Sequence, residues 1–255
     1  MVLIGFGMAF VGAQFQPLIS ITIYPLAAAD FEAADLLIWC RSSSYPVLIV
    51  SLDIDSEESI KRAVNHVERS QGDKGLDVLI NVAAIMTHFP QGITAMQVSS
   101  SKEYTVDDLN HVFNTNVTGV HHVTRSFLPL LKKGTLKKVI NYSSGLGSIG
   151  NAAAWAAQDS LSYKVSKAAL NMMTVQYALS FADEGFTFII LSPGWVKTDL
   201  GGDEADIDVE TSTRAVLDLI SRVGRNDNGK FFNICVPAFD HRPEPFRYAG
   251  EEIPW

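Results

Sequence analysis

The feature that most limits how this chain can fold is the regular alternation of short apolar runs with amphipathic segments from residue 47 onward. The apolar runs are rich in β-branched residues, which is typical of buried strands. They occupy residues 47–52, 76–80, 138–142 and 186–191. Strand and helix signals alternate without an internal repeat or a linker. The sequence therefore predicts an α/β fold, with one doubly wound parallel sheet forming a single domain over residues 1–255.

The helices between these strands have recognisable starts. Asp55, with Glu58 three residues later, resembles a capping box in which Asp replaces Ser or Thr, and helical spacing of apolar residues follows. A second helix is predicted to begin at Thr105, and a third to cover about 163–182.

Composition and charge exclude several classes of function. The chain has 255 residues and a net charge of -8, which argues against a nucleic-acid partner or an anionic membrane surface. Its two cysteines, Cys40 and Cys235, have no metal-like spacing, so a reducing, cytoplasmic location is expected. The six histidines form no HxxxH or HExxH pattern, and no metal site is predicted.

The first 29 residues carry no charged side chain and are largely apolar. Such a run is compatible with a signal peptide or a membrane span. However, no basic residue precedes it, and Gln14, Gln16, Pro17 and Pro25 interrupt it. We therefore expect a buried first strand and helix rather than a targeting or anchoring segment.

Polar or conformationally special residues stand where the predicted strands end. They are Asp53, Asn81, Ser144 and the Pro193-Gly194 pair. Because ligands bind at the carboxyl ends of the strands in open α/β sheets, we expect these positions to form one site.

A tyrosine and a lysine begin the helix that follows Ser144. Tyr163 and Lys167 are four residues apart, so they lie on one face of that helix. An ammonium beside a phenol lowers the pKa of the phenol, and a nearby serine offers a second hydrogen bond to a reacting oxygen. This is a proton-delivery arrangement for a carbonyl or an alcohol, although the pair alone also fits an exposed helix face. A hydrolase is a weaker interpretation, since no histidine is spaced to activate Ser144.

Five short motifs follow one another along the chain. They are Asn-Val-Ala-Ala at 81–84, Asn-Val-Thr-Gly at 116–119, Ser-Gly-Leu-Gly at 144–147, Tyr-Lys-Val-Ser-Lys at 163–167 and Pro-Gly-Trp-Val-Lys-Thr-Asp at 193–199. In this order they resemble the motifs of the short-chain dehydrogenase/reductase family, which has a Rossmann-like fold. Residues 194–202, 210–213 and 253–255 are further similar to the sniffer and C-factor branch of its carbonyl reductases, and fungal ketoreductases share parts of this pattern.

The resemblance implies four catalytic residues. Tyr163 would be the general acid, Lys167 would lower its pKa and hold the nicotinamide ribose, and Ser144 would bind the substrate oxygen. Asn116 would position a water that links Lys167 to solvent, or alternatively bond to backbone at a helix distortion. Ser143 competes for the serine role, but the glycine three residues beyond Ser144 favours Ser144.

The resemblance also implies a dinucleotide cofactor. Arg41 matches the basic residue after the second strand that pairs with a 2′-phosphate, which favours NADP over NAD. Asp53 would bind the adenine, and the backbone at Asn81 the adenosine ribose; Val196 and Thr198 would hold the carboxamide and pyrophosphate. Arg125 matches a basic position in related reductases and could contact the cofactor. A position on a solvated helix face accounts for this arginine equally well. The residues expected at the cofactor are Arg41, Asp53, Asn81, Arg125, Tyr163, Lys167, Val196 and Thr198.

The N-terminal glycine motif departs from the family pattern, which is a strand followed by TGxxxGxG. Here Gly5 and Gly7 follow a predicted strand, but the threonine and the final GxG are absent, so residues 1–45 form a divergent first βαβ region. Two functions are therefore open. One is an NADP-dependent reductase of a ketone, aldehyde or quinone, and the other is a non-catalytic member with impaired dinucleotide binding that acts as an interaction protein.

Substrate and assembly are suggested by apolar side chains. Met86, Trp155, Trp195 and residues 200–210 are expected to line or cover a pocket for a small hydrophobic carbonyl compound, with an irregular loop at 236–252. The helix from Tyr163 is apolar around most of its circumference. Its outer stripe is expected to form a homodimer or homotetramer with the helix through Val117, Val120 and Val123; the alternative is a helix buried within a monomer.

Overall fold

The protein forms a seven-stranded sheet in the order β3-β2-β1-β4-β5-β6-β7. A computed structural model describes residues 2–7, 18–23, 48–86, 106–198 and 200–255. The strands are β1 Val2–Gly7, β2 Leu18–Ile23, β3 Leu48–Ser51, β4 Val78–Asn81, β5 Lys138–Tyr142, β6 Thr187–Ser192 and β7 Phe231–Asn233.

Five α-helices flank the sheet in the described ranges. They are α1 Glu57–Gln71, α2 Val106–Phe113, α3 Val120–Lys133, α4 Leu161–Ser180 and α5 Val209–Arg222. A π-helical segment, Asn114–Gly119, joins α2 to α3. Short 3₁₀ turns lie at Gly72–Lys74, Gly145–Gly147, Arg225–Asp227 and Pro237–Phe239. No helix within these ranges is both long enough and apolar enough to cross a membrane.

The core confirms the predicted α/β layers. Alternate residues of β4, β5 and β6 face opposite sides of the sheet, as the period of two in a strand requires. Leu79, Val139 and Phe188 pack with buried residues of α1, α3 and α4 on one side. Ile80, Ile140 and Ile189 pack with α5 on the other side. Helices on both faces leave the carboxyl ends of the strands open as a binding edge.

The sheet is parallel except at β2, which runs antiparallel to both β1 and β3. The predicted parallel arrangement is confirmed for β1 and for β4 to β7, and β2 departs from it. Residues 8–17 are too few for the crossover of a dozen or more residues that a parallel pair needs. The expected first helix is also absent from Leu18–Ile23, which is a strand.

The N-terminal glycines are inside a strand rather than after it. Gly5 pairs with Ser20 and Gly7 pairs with Leu18 along the β1–β2 ladder. The second strand of the described residues ends at Ile23. Arg41 lies outside the described residues, so its contact with a 2′-phosphate stays a prediction.

Helix α1 is capped by Ser56, and not by Asp55 as the sequence suggested. The Ser56 side chain accepts a hydrogen bond from the Ser59 N–H at 3.2 Å. The Asp55 carboxylate instead accepts from the side chains of Asn114, at 3.1 Å, and Thr115, at 2.9 Å. Asp55 therefore ties the π-helical segment to the end of β3.

Candidate active site

Tyr163 and Lys167 lie one turn apart in the first half of α4, and both are buried. Their side chains are 6% and 1% exposed. The Lys167 Nζ lies 5.5 Å from the centroid of the Tyr163 ring and donates a hydrogen bond to the Tyr142 carbonyl at 2.7 Å. The end of β5 thus fixes the ammonium beside the phenol.

Ser144 completes this group from the 3₁₀ turn after β5. Its side chain is hydrogen-bonded to Tyr163 and accepts from the Leu146 N–H at 3.2 Å. The turn lies directly on α4 because residue 147 is glycine. A Cβ at Gly147 would lie 2.8 Å from the Lys167 Cβ, closer than side chains can approach.

The two adjacent serines have different surroundings. Ser143 is buried, and its hydroxyl donates to the Asn171 Oδ1 at 2.6 Å. Both serines line the cavity, but Ser144 is half-buried, and its hydroxyl is not donated to a buried asparagine. The geometry thus favours Ser144 for contact with a substrate, as the glycine spacing did.

Burial is the largest influence on the pKa values of Tyr163 and Lys167. It raises the pKa of Tyr163 to about 12, with the Ser144 hydrogen bond acting in the opposite direction. It lowers the pKa of Lys167 to about 7. Both shifts have one cause, because a buried phenolate and a buried ammonium each lose hydration. The expectation that the lysine brings the phenol's pKa below its ordinary value is wrong for the protein alone.

Asn116 is fully buried in the π-helical segment. Its Nδ2 donates to the Ile85 carbonyl at 2.8 Å, and its Oδ1 accepts from the Ile85 N–H at the same distance. The Nδ2 also donates to the Ser166 Oγ at 3.0 Å, which in turn donates to the Tyr163 carbonyl. The side chain therefore holds the chain after β4 against α4, which matches the backbone-bonding alternative.

Buried hydrogen bonds between polar side chains connect β4 and β5 with the helices packed on them. These bonds were not predicted from the sequence. The Asn81 Nδ2 donates to the Asn141 Oδ1 at 2.7 Å and to the Thr124 hydroxyl at 3.1 Å. The Asn141 Nδ2 donates to the Thr174 hydroxyl at 2.8 Å. The sequence feature that could have revealed them is an asparagine at the end of β4 that lies beside an asparagine in β5. The Asn81 side chain is engaged here, so only its backbone remains for a ligand.

A cavity of about 1210 Å³ opens over the carboxyl ends of β4, β5 and β6. Of the candidate site residues, Ser144, Tyr163, Lys167, Val196 and Thr198 line it.

The other described candidates, Asp53, Asn81, Asn116 and Arg125, are not among the lining residues. Asp53 is half-buried after β3, where one carboxylate oxygen accepts from the Asp55 N–H. Arg125 is exposed on α3, in a small depression against α1 that Glu57 and His122 also line.

The cavity wall is mainly apolar, and the C-terminal part of the chain supplies one side of it. Met86, Trp155, Trp195, Leu200 and Val209 line it, as do residues between 242 and 254.

A tyrosine that sequence reasoning did not single out joins this C-terminal side to the loop after β6. The Tyr248 hydroxyl accepts from the Trp195 N–H at 3.0 Å and donates to the Asp206 carboxylate at 2.7 Å. No motif marked Tyr248, because its role depends on a contact between distant segments.

Comparison with known proteins agrees with this geometry. A sequence profile described as short chain dehydrogenase matches residues 5–207. An uncharacterized oxidoreductase of Schizosaccharomyces pombe is 31% identical over 240 residues, covering 92% of this chain and 88% of the relative.

Two solved structures are also similar. The NADPH-bound carbonyl reductase from chicken fatty liver has a TM-score of 0.67 at 30% identity, covering 82% of this chain and 77% of that one. The carbonyl reductase Sniffer of D. melanogaster has a TM-score of 0.64 at 28% identity, covering 81% and 77%. With the serine, tyrosine and lysine gathered at the open edge of the sheet, these matches show that the chain belongs to the short-chain dehydrogenase/reductase family of oxidoreductases.

Proposed function

We propose that this protein reduces the carbonyl group of a small hydrophobic ketone, aldehyde or quinone to an alcohol, with NADPH as the hydride donor. The observation that carries the proposal is the buried phenol of Tyr163, hydrogen-bonded to Ser144 in a largely apolar cavity. Similarity to an NADPH-bound carbonyl reductase supports both the reaction and the cofactor.

The residues around Lys167 fit the nicotinamide half of such a cofactor. A buried ammonium can donate hydrogen bonds to ribose hydroxyls. Gly194 has a φ of 79°, and a Cβ there would lie 2.9 Å from the Ile207 Cδ1. Only glycine suits this turn, which directs Val196 and Thr198 to the cavity. When bound, the cofactor supplies the hydride.

The protein's own residues supply the proton. With a pKa of about 12, Tyr163 keeps its proton at neutral pH and can give it to the carbonyl oxygen. Ser144 donates a hydrogen bond to the same oxygen as negative charge develops on it. Lys167 stabilises the phenolate that remains, since an ammonium at this distance favours the charged form. Asn116 holds the helix turn that carries Tyr163.

Cofactor titration tests the proposal against a non-catalytic family member. We expect NADPH to bind and to be oxidised when a hydrophobic ketone is added, and NADH to bind more weakly. Arg41→Ala should weaken the binding of NADPH and leave the binding of NADH unchanged, because only NADPH carries the extra phosphate. Absence of binding by either dinucleotide would contradict the proposed reductase. If Arg41→Ala weakens the binding of NADPH and of NADH equally, the proposal of NADP as the cofactor is contradicted.

The cellular setting is proposed on the same basis. The acidic chain, with only two cysteines and no metal-like spacing between them, favours the cytoplasm and no nucleic-acid partner. We also propose a homodimer or homotetramer, supported by exposed apolar side chains along α4, namely Val165, Met172 and Leu179.

A further inference from the structure

The loop after β6 is closed at its base by a short parallel pairing of backbone. We call residues 195–198 and 200–207 the β6 loop. The Ile207 N–H donates to the Trp195 carbonyl at 3.2 Å, and the Lys197 N–H donates to the Ile207 carbonyl at 2.8 Å. Val196 and Ile207 are therefore bridge partners. The two ends of the β6 loop thus lie side by side, next to the cavity that Val196 lines.

This pairing leaves the backbone of Val196 available to a ligand. Both hydrogen bonds of the bridge use backbone groups of its neighbours, Trp195 and Lys197, so the Val196 N–H and C=O point away from Ile207. The carbonyl accepts a long hydrogen bond from the Thr198 hydroxyl at 3.3 Å, which leaves its second lone pair. One donor and one acceptor match a primary carboxamide, the group that the proposed cofactor carries on its nicotinamide.

The hydroxyl of Tyr248 holds both ends of the β6 loop. It accepts from the Trp195 N–H at 3.0 Å and donates to the Asp206 carboxylate at 2.7 Å. Trp195 and Asp206 are the residues that directly precede the two bridge partners. The position of the Val196 backbone therefore depends on this one hydroxyl as well as on the bridge.

Tyr248 is itself fixed to the segment that follows β7. It is 6% exposed, its carbonyl accepts from the Val236 N–H at 2.7 Å, and its ring centroid lies 5.4 Å from that of Phe239. The Arg242 guanidinium pairs with Asp206 at 2.9 Å and lies over the Phe239 ring, 4.4 Å from its centroid. The hydroxyl of Tyr248 thus joins the β6 loop to a well-packed part of the chain.

We propose that Tyr248 is a positioning residue for the cofactor: it holds the β6 loop so that the Val196 backbone meets the nicotinamide carboxamide. Asp206 supports it, because a carboxylate that takes the single proton of the hydroxyl leaves the oxygen lone pairs for the Trp195 N–H. Tyr248 acts through Val196 and not on the reacting atoms. The inference rests on the proposed NADPH-dependent reduction.

The test compares two ligands that differ by the nicotinamide half. NADP⁺ carries the carboxamide, whereas adenosine 2′,5′-bisphosphate has only the adenosine part with its 2′-phosphate. Calorimetry gives both Kd values for the wild type and for Tyr248→Phe, which keeps the ring. We expect the Kd of NADP⁺ to rise about tenfold, as the loss of one or two hydrogen bonds allows, and that of the bisphosphate to change less than about twofold. A tyrosine needed only for stability would lower Tm without this difference.

Tyr177→Phe is the matched control. The Tyr177 hydroxyl is also hydrogen-bonded, to the His121 Nδ1 at 2.8 Å, but this bond joins α3 to α4, and Tyr177 is not among the residues that line the cavity. Both Kd values should be unchanged in this variant.

A pair of substitutions at Asp206 tests its supporting role. Asp206→Asn and Asp206→Ala both remove the charge, but only asparagine keeps an acceptor for the Tyr248 hydroxyl. NADP⁺ should bind to Asp206→Asn about threefold more tightly than to Asp206→Ala. Equal Kd values for these two variants would overturn the role of Asp206.

Hydrogen exchange on the protein without cofactor measures the β6 loop directly. In Tyr248→Phe the amides of this loop should exchange about tenfold faster than in the wild type, because its ends have lost a shared partner. Tyr177→Phe should leave their exchange unchanged.

An unchanged Kd for NADP⁺ in Tyr248→Phe, or equal weakening of both ligands, would overturn the positioning role; turnover of a ketone by the wild type would then still support the reductase. A selective loss of NADP⁺ binding with faster exchange in the β6 loop, but without turnover of any carbonyl compound by the wild type, would contradict the reductase and support the positioning role. Failure of the wild type to bind NADP⁺ would overturn both.

Discussion

At the scale of single residues, burial decides what each group of the site can do. The phenol of Tyr163 stays protonated at neutral pH, which suits a proton donor and therefore the direction of reduction. Lys167, with its pKa lowered to about 7, is near the point where its charge changes. A group whose pKa differs between folded and unfolded states also makes stability depend on pH.

The pKa of Lys167 leads to a stability prediction. The ordinary pKa is 10.5 and the folded value about 7, so between these values the unfolded chain binds more protons than the folded one. The contribution of Lys167 to the free energy of unfolding should therefore rise with pH from about 7 to about 10. Urea unfolding of the wild type and Lys167→Met across this range measures it.

Lys61→Met on the exposed face of α1 is the control, and its free energy of unfolding should follow that of the wild type at every pH. If the wild type and Lys167→Met show parallel pH profiles, the lysine is not buried as described.

The adjacent serines offer a second residue-scale prediction. Ser144→Ala should lower kcat/KM about 10- to 100-fold with little change in Tm, because its hydroxyl serves the reacting oxygen. Ser143→Ala should lower the free energy of unfolding by about 1–3 kcal/mol, because it leaves the buried Asn171 without its donor. Steady-state kinetics and urea unfolding distinguish the two. The reverse pattern would assign the catalytic role to Ser143.

At the scale of elements, close approach between the turn after β5 and helix α4 builds the catalytic group. The Gly145–Gly147 turn places Ser144 beside Tyr163, and the adjacent Tyr142 carbonyl holds Lys167. The π-helical segment adds Asn116, which fixes the chain after β4 against the same helix. The ends of two strands, β4 and β5, are thus fastened to α4.

Gly147→Ala tests this contact. The added Cβ would lie 2.8 Å from the Lys167 Cβ and 2.9 Å from the Lys167 backbone carbon, so the turn or the helix must move. We expect a loss of about 1–3 kcal/mol in the free energy of unfolding and a lower kcat. Gly224→Ala is the matched control, because no atom lies within 4 Å of its added Cβ and its φ is negative. Equal effects of the two substitutions would contradict the tight packing of the turn.

The local sequence pattern was sufficient to predict some secondary-structure elements and insufficient to predict others. Strand β5 was predicted at Lys138–Tyr142 and has those bounds, because a β-branched run between turn residues has one local solution. The reversal of β2 could not be predicted, because strand direction depends on how residues pair across the sheet. The motifs identified Ser144, Tyr163 and Lys167. They could not reveal Tyr248, because its two hydrogen bonds join segments that are distant in the sequence.

At the scale of the whole molecule, the outer face of α4 is exposed and apolar. Val165, Met172 and Leu179 recur every seven residues and are 42%, 61% and 69% exposed. The alternative of a helix fully buried within the subunit is therefore wrong for these residues. On the helix expected as its partner, Val117, Val120 and Val123 are buried inside the subunit, so pairing with that helix, which stays a prediction, would use its other face.

Light scattering tests association through α4. We expect a dimer or tetramer at micromolar concentration, since a subunit rarely leaves such a stripe in water. Met172→Lys combined with Leu179→Lys should produce monomers. The control is Lys61→Glu combined with Arg62→Glu on the exposed face of α1, which should leave the assembly unchanged. A wild type that is a monodisperse monomer would contradict association through this face.

The most direct measurement for the proposed reaction is the comparison of Tyr163→Phe with the wild type in turnover and in NADPH binding. The substitution removes one oxygen and keeps the ring beside Lys167. We expect kcat to fall at least about 100-fold, because the variant lacks the phenolic proton that the proposed reaction uses, while the Kd for NADPH changes less than about threefold. A variant that retains more than about a tenth of the wild-type kcat, a loss under about 1.4 kcal/mol, would show that Tyr163 is not the acid.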